Sequence, residues 1–196
     1  VKTEFITSSS LTTEKMSELF DQVVLTPDED LVTEALRTIE PSINRIASVT
    51  SERFRYSKAR NGFVVKLDHS DQRIPIGSMV DGIWRMLGLT LAIVNAKNGV
   101  LLVDEIDTGL HFSVMSDMWK LIWETAKRLN VQVFATTHSS DCWTSLAGIA
   151  KHDTSNEEEI TIHRIERDKS RSVMFTEEQV IIAAERLSLI HISEPT

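Results

Sequence analysis

The chain has 196 residues, 41% hydrophobic and 26% charged, with 21 Lys plus Arg against 29 Asp plus Glu for a net charge of −8. These proportions exclude wholesale disorder and a collagen-like repeat, and the length suits one compact α/β domain of ordinary size. The acidic balance gives no general attraction to nucleic acid or to an anionic membrane surface. Cys142 is the single cysteine, which excludes an internal disulfide and a cysteine-rich zinc site, and a reducing, cytoplasmic setting is the expectation. No apolar run approaches the roughly 18 residues that a membrane helix needs, and the start of the chain lacks the basic-then-apolar layout of a signal peptide.

Residues 1–22 are polar and read as an irregular or loosely helical lead-in. Pro27 and the acids Asp28, Glu29 and Asp30 start a helix that carries Leu31, Ala35, Leu36 and Ile39 on one face and stops before Pro41. A second short helix is expected from Ser42 to about Val49. After the turn signal Asn61-Gly62, Phe63 to Leu67 reads as a strand, with Phe54-Arg55-Tyr56 as its hairpin partner. A long helix is predicted from Ser78 to Ala96 through Trp84, Leu87, Leu91 and Val94, ended by Asn98-Gly99. Val100 to Val103, closed by Asp104, has the continuous apolar character of a buried parallel strand. A helix from about Ser113 to Leu129 and a second buried strand from Val131 to Ala135 complete a βαβ unit. Residues 160–165 and 172–175 alternate as an antiparallel pair, and a last helix runs from Thr176 to about Arg186.

The chemistry concentrates at two strand ends. Asp104 and Glu105 close the first strand of the βαβ unit, where α/β sheets place their ligands. Two adjacent acids there can divide labour: Asp104 holds a magnesium ion through its water shell, and Glu105 polarises an attacking water. His138 follows the second strand, one helix and one return strand later, and so reaches the same end of the sheet, where an imidazole can hydrogen-bond a terminal phosphate. The plain structural reading of Thr137 to Asp141 is a helix-capping segment without chemistry. Asp81 and Arg85 stand i, i+4 and read as a helix pair; Trp84, Trp119, Trp123 and Trp143 read as core; Arg53, Arg55, Lys58 and Arg60 read as a solvated basic cluster on a hairpin.

Taken together, these residues resemble a family. Leu101 to Glu105 looks like a Walker B motif, Asp107-Thr108-Gly109-Leu110-His111 like the D-loop after it, and His138 like the switch histidine of ABC-type ATPases. Ile76 to Gly82 opens the long helix where such proteins carry their signature motif. From about Leu36 to Arg186 the chain is similar to the C-terminal part of prokaryotic AAA/ABC-like ATPases, relatives of the RecF and SMC heads and of the overcoming-lysogenization-defect group. The resemblance implies a partial P-loop NTPase of the ABC head type, an α/β fold that contributes the C-terminal portion of a parallel sheet with flanking helices.

The same resemblance implies ATP and Mg²⁺ as cofactors and hydrolysis of ATP. Asp104 would be the metal ligand and Glu105 and His138 the catalytic residues. Ser78, Gly82, Asp104 and Asp107 would contact nucleotide, Ser78 across a head-to-tail homodimer. It further implies a nucleic acid or an effector protein as the partner of the cycle, and no membrane. Val80 stands where the signature motif usually has glycine, and a β-branched residue there disfavours a positive φ and can crowd a phosphate. The phosphate loop G-x-x-x-x-G-K-[ST] does not occur in the sequence. The expectation is therefore that residues 1–186 are the C-terminal part of an ATPase domain whose phosphate-loop lobe lies upstream, consistent with Val1 as first residue, and that this part is inactive alone. Residues 187–196 look like translated adapter sequence and are expected to be a non-native tail. The alternative from another class is a degenerate head that binds a partner without hydrolysis.

Overall fold

The structure is a computed structural model that describes residues 2–49, 62–152 and 160–192, with the side chains of 152 and 187–192 outside the description. Its elements fall into two units, Val1–His138 and Ser139–Thr196. The first runs β1 (Thr3–Ile6), α1 (Thr13–Asp21), α2 (Asp28–Arg37), β2 (Ile43–Ser48), β3 (Phe63–Leu67), β4 (Arg73–Pro75), a 3₁₀ turn at Ile76–Ser78 and α3 (Asp81–Asn95). It continues with β5 (Val100–Val103), a second 3₁₀ turn at Phe112–Val114, α4 (Met115–Leu129) and β6 (Gln132–Ala135).

The predicted βαβ unit is present: β5 and β6 pair in parallel, Val103 opposite Ala135, with α4 as the crossover, although β6, expected to be buried, has Gln132, Phe134 and Ala135 exposed. The lead-in is not irregular. Thr3 to Ile6 adds a third parallel strand on the other side of β5, giving the order β1-β5-β6, and α1 follows it. The close approach of β1 to β5 depends on Gly99, where a Cβ would fall 2.0 Å from the Lys2 carbonyl oxygen. Ile6, Leu101 and Val103 point to one face of this sheet and are buried. α3 packs against β1, α1, α2 and α4, which explains why it is buried almost throughout, from Gly82 to Asn95.

The second sheet is antiparallel, in the order β2-β3-β4. Where a helix is expected from Ser42 to about Val49, the chain instead forms the strand Ile43–Ser48. Ile43 and Ile46 are both buried although they are three residues apart, because the register shifts between Ile43 and Arg45. Two inward isoleucines at that spacing have a helical look in sequence. The described partners of β3 are β2 and β4; Phe54 to Tyr56 lie outside the described residues. Phe63 meets Phe20 edge-on at 5.5 Å and Trp84 at 6.3 Å, so Trp84 is a core residue as its helical setting predicted.

The second unit holds α5 (Ser140–His152), the antiparallel pair β7 (Thr161–Arg164) and β8 (Val173–Thr176), and α6 (Glu177–Ile192). The hairpin is as predicted. Lys151 on α5 bridges Glu185 on α6 at 2.8 Å, and α6 continues past Arg186 to Ile192. Among the described residues no helix is long and apolar enough to cross a membrane.

Candidate active site at the strand ends

The pairing of Val103 with Ala135 puts Asp104 and Thr136 side by side as the two strands end. The sheet hydrogen bonding continues one step further, from the Asp104 amide to Ile6 O at 2.8 Å and from the Thr136 amide to Val103 O at 2.9 Å. Thr136 then serves both acids. Its hydroxyl donates to Asp104 Oδ1 at 2.7 Å and accepts the Glu105 amide at 2.9 Å. At Glu105 the chain takes a left-handed conformation, φ +46°, rare for a residue with a Cβ. The turn it makes is closed by the Ile106 amide on Thr136 O at 3.0 Å and the Thr108 amide on Glu105 O at 3.0 Å.

The three carboxylates of this segment each accept a threonine hydroxyl: Asp104 from Thr136, Glu105 Oε2 from Thr108 at 3.1 Å, and Asp107 Oδ1 from Thr137 at 2.6 Å. Each bond orients one carboxylate oxygen; an ionised carboxylate has acceptor capacity for several more partners. Asp104 is exposed, Glu105 and Asp107 are half-buried, and His138 is exposed one residue beyond Thr137. The strand-end acids and the switch histidine predicted from sequence thus fall at one end of the sheet. Sequence reasoning misses the Thr136 and Thr137 hydroxyls; a hydroxyl pair opposite a run of acids at a neighbouring strand end is the signal for them.

The start of α3 lies against the same loop. Gly82 is buried, and a Cβ there would meet the tip of Ile39 at 3.3 Å, slightly tight, with Leu110 at 3.4 Å and the Gly109 carbonyl at 3.5 Å in ordinary contact. Gly109 itself has φ +78°, which closes the loop between Asp107 and Leu110. Ser78 sits in the 3₁₀ turn ahead of the helix, its hydroxyl donating to Pro75 O at 2.7 Å. Val80 is the residue before the first turn, with φ −65° and ψ 147°, a conformation open to any side chain. The positive φ that valine would resist is not used at this position.

Arg85, read in sequence as a helix partner of Asp81, is only 2% exposed and turns its guanidinium to main-chain carbonyls beneath the acid segment. Burial pushes its pKa below the usual arginine value, against the charges of Asp107, Asp104 and Glu105, which favour the cation.

Among the described residues no group of three or more His, Cys, Asp or Glu is arranged to hold a metal ion. Mg²⁺ keeps most of its water shell and binds through one or two carboxylates together with phosphate oxygens, so it does not require such a group. Asp104 fits such a role: it is exposed, and Thr136 fixes one oxygen while leaving the other.

The chain is similar to known proteins in family and in fold. The chain is 30% identical over 84 residues to an ATP/GTP phosphatase of Helicobacter pylori (strain ATCC 700392 / 26695), matching 41% of this chain and 23% of that protein, so it spans about a quarter of the curated relative. Among solved structures, the fold is similar to one from a study of ATP-driven dimerization and DNA-stimulated activation of SMC ATPases. The TM-score is 0.51 at 16% identity, over 94% of this chain and 100% of that one. It is also similar to the SmcHead bound to the C-winged helix domain of ScpA, with a TM-score of 0.50 at 18% identity, over 79% of this chain and 44% of that one. At these identities the likeness is one of fold: an α/β head with a parallel sheet and flanking helices. Residues 3–142 match the model of the AAA ATPase domain, and since they make up well over half of the sequence, the chain belongs to the AAA ATPase domain family.

Proposed function

We propose that this chain carries the hydrolytic and switch residues of an ABC-type ATPase head that closes as a head-to-tail homodimer around ATP. The observation that carries the reading is the trio of carboxylates at one sheet end, each held by its own threonine hydroxyl, in a chain of the AAA ATPase domain family. Acids that merely ended a strand into solvent would not need hydroxyl donors from a second strand and from the following loop. This favours hydrolysis over a degenerate head that only binds a partner.

In this reading Asp104 carries the magnesium ion, which when bound neutralises charge on the phosphate oxygens. Glu105 orients the attacking water and takes its proton. His138 donates to the terminal phosphate, and Asp107 shapes the loop against the nucleotide. Ser78 and the first-turn amides of α3 through Gly82 address the nucleotide of the opposite subunit, as the positive end of a helix favours anions. The cradle for the remaining phosphates comes from residues outside this sequence, because it holds no G-x-x-x-x-G-K-[ST]. The chain alone is accordingly expected to be inactive. The solved structure whose study concerns ATP-driven dimerization and DNA-stimulated activation supports a dimeric cycle coupled to nucleic acid, and the SmcHead bound to a domain of ScpA supports coupling to an effector protein.

The test is Glu105→Gln in the full-length protein. Turnover should fall by about 10²–10⁴-fold, the usual worth of a positioned base, while an ATP-bound dimer accumulates on a sizing column. Unchanged turnover would remove Glu105 from the mechanism.

A further inference from the structure

Arg85 stands on the second turn of α3, buried to 2% exposure. Its guanidinium donates to the carbonyl oxygens of Thr7 at 2.8 Å, Asp104 at 2.9 Å and Glu105 at 2.8 Å, with Ile106 O at the 3.5 Å limit. All four are main-chain acceptors, and three belong to successive residues. Successive carbonyls of an extended strand point to opposite sides, so a single planar donor cannot collect them. They converge here because Glu105 is left-handed, φ +46°. That conformation carries a steric cost for any residue with a Cβ and persists only where its surroundings hold it.

We propose that Arg85 is the positioning residue of the acid turn: by gathering the Asp104, Glu105 and Ile106 carbonyls on its inner side, it holds Glu105 left-handed and presents the Asp104 and Glu105 carboxylates outward. Charge-assisted bonds to carbonyls are stronger than neutral ones, and the planar fork reaches several acceptors at once. On the outer side the Thr136 and Thr108 hydroxyls orient the carboxylates, and the Thr108 amide shares the Glu105 carbonyl with Arg85 at 3.0 Å, but Arg85 alone bonds the Asp104 and Glu105 carbonyls together. The value of the turn for catalysis rests on the proposed hydrolysis; the holding of the turn does not.

Arg85→Lys retains the charge but offers one compact donor centre. Amide hydrogen exchange reads the turn directly, because the amides of 104, 105, 106 and 108 are all hydrogen-bonded. In Arg85→Lys their exchange should rise at least tenfold while amides in the middle of α3 and β3 keep their rates. Adding Glu105→Gly, which removes the left-handed penalty, should slow the local exchange about fivefold again. Should Arg85→Lys fail to fold, the double variant should recover folded protein for the same reason. In the full-length protein Arg85→Lys should lower kcat at least tenfold with the nucleotide KM within twofold.

Unchanged exchange in Arg85→Lys overturns the proposal. So does a uniform rise across the chain, which marks a general structural role, and so does a local rise or a folding failure that Glu105→Gly does not relieve. A local rise relieved by glycine, with turnover unaltered, supports the holding of the turn and counts instead against hydrolysis at Glu105.

Discussion

Thr136 Oγ1 donates to Asp104 Oδ1 at 2.7 Å while accepting the Glu105 amide at 2.9 Å, so a single hydroxyl just past β6 fixes a side chain and a backbone group just past β5. The β5–β6 register makes this contact, because Asp104 and Thr136 are the first residues beyond the paired Val103 and Ala135. The acid pair is therefore positioned from three directions: by the parallel sheet, by this threonine, and by Arg85 from below.

Thr136→Val keeps the shape of the residue and removes both bonds. Each is worth about 0.5–1.5 kcal/mol net, and the site is open to water, so the loss should be about 1–2 kcal/mol in urea unfolding. Thr136→Ser keeps the hydroxyl and should lie within about 0.5 kcal/mol of the parent. Equal stability of the valine and serine variants would mean that the two bonds contribute nothing to the fold.

Gly99→Ala tests how β1 is attached. The added methyl would lie 2.0 Å from Lys2 O and 2.9 Å from Ala96 O, both backbone atoms that cannot swing aside. The Val100 amide donates to the same Lys2 oxygen at 2.8 Å, so relief of the clash breaks the first bond of the β1–β5 ladder. Destabilisation of at least about 2 kcal/mol is expected, with faster exchange at the Val100 and Asp104 amides. A variant as stable as the parent would show that β1 does not need this close approach.

Much of the sheet and of the acid segment was legible in sequence, for a physical reason. A strand covered on both faces leaves an uninterrupted apolar run, and Val100 to Val103 followed by Asp104 is such a run, with Leu101 and Val103 buried and Val100 and Leu102 half-buried. β1 left no comparable mark: Thr3-Glu4-Phe5-Ile6 is short and mixed, and only the pairing with Val100–Val103 makes it a strand. β2 was misread because a shifted register turns Ile43 and Ile46 to the same side, a spacing that a regular strand does not allow. Asp104 and Glu105 stood out because acids after an apolar run carry a chemical meaning. Arg85 did not, because its i, i+4 spacing to Asp81 has a sufficient local explanation, and its partners are backbone carbonyls that no sequence pattern encodes.

Val80→Ser should stabilise the protein. Val80 occupies the residue before α3 in an extended conformation, 63% exposed, and provides no side-chain hydrogen bond to the amides of the first turn. Serine there accepts one of those amides, whereas valine is among the poorest residues for the position. A gain of about 0.5–1 kcal/mol in chemical unfolding is expected, with the Ile83 region exchanging more slowly. A loss of stability would mean that Val80 contributes apolar contacts that outweigh a cap.

Acidification should weaken the link between α2 and β2 through Glu40. The Glu40 carboxylate accepts the Ser42 hydroxyl at 2.6 Å and the Ser42 amide at 3.2 Å. Both bonds favour the charged form, the hydroxyl more, and they hold the Glu40 pKa below the ordinary glutamate value of 4.5 against a smaller upward push from burial. A carboxylate whose pKa is lower in the folded than in the unfolded chain contributes stability that is complete above the unfolded value. That contribution is lost as pH falls through the folded value. Ser42→Ala removes the hydroxyl bond, so the Glu40 midpoint, followed by NMR of its side-chain carboxyl, should move up toward 4.5. The acid-dependent fall in stability just below that pH should become shallower in the variant. If the midpoint is the same in both proteins, the Ser42 hydroxyl is not the group that holds Glu40 ionised.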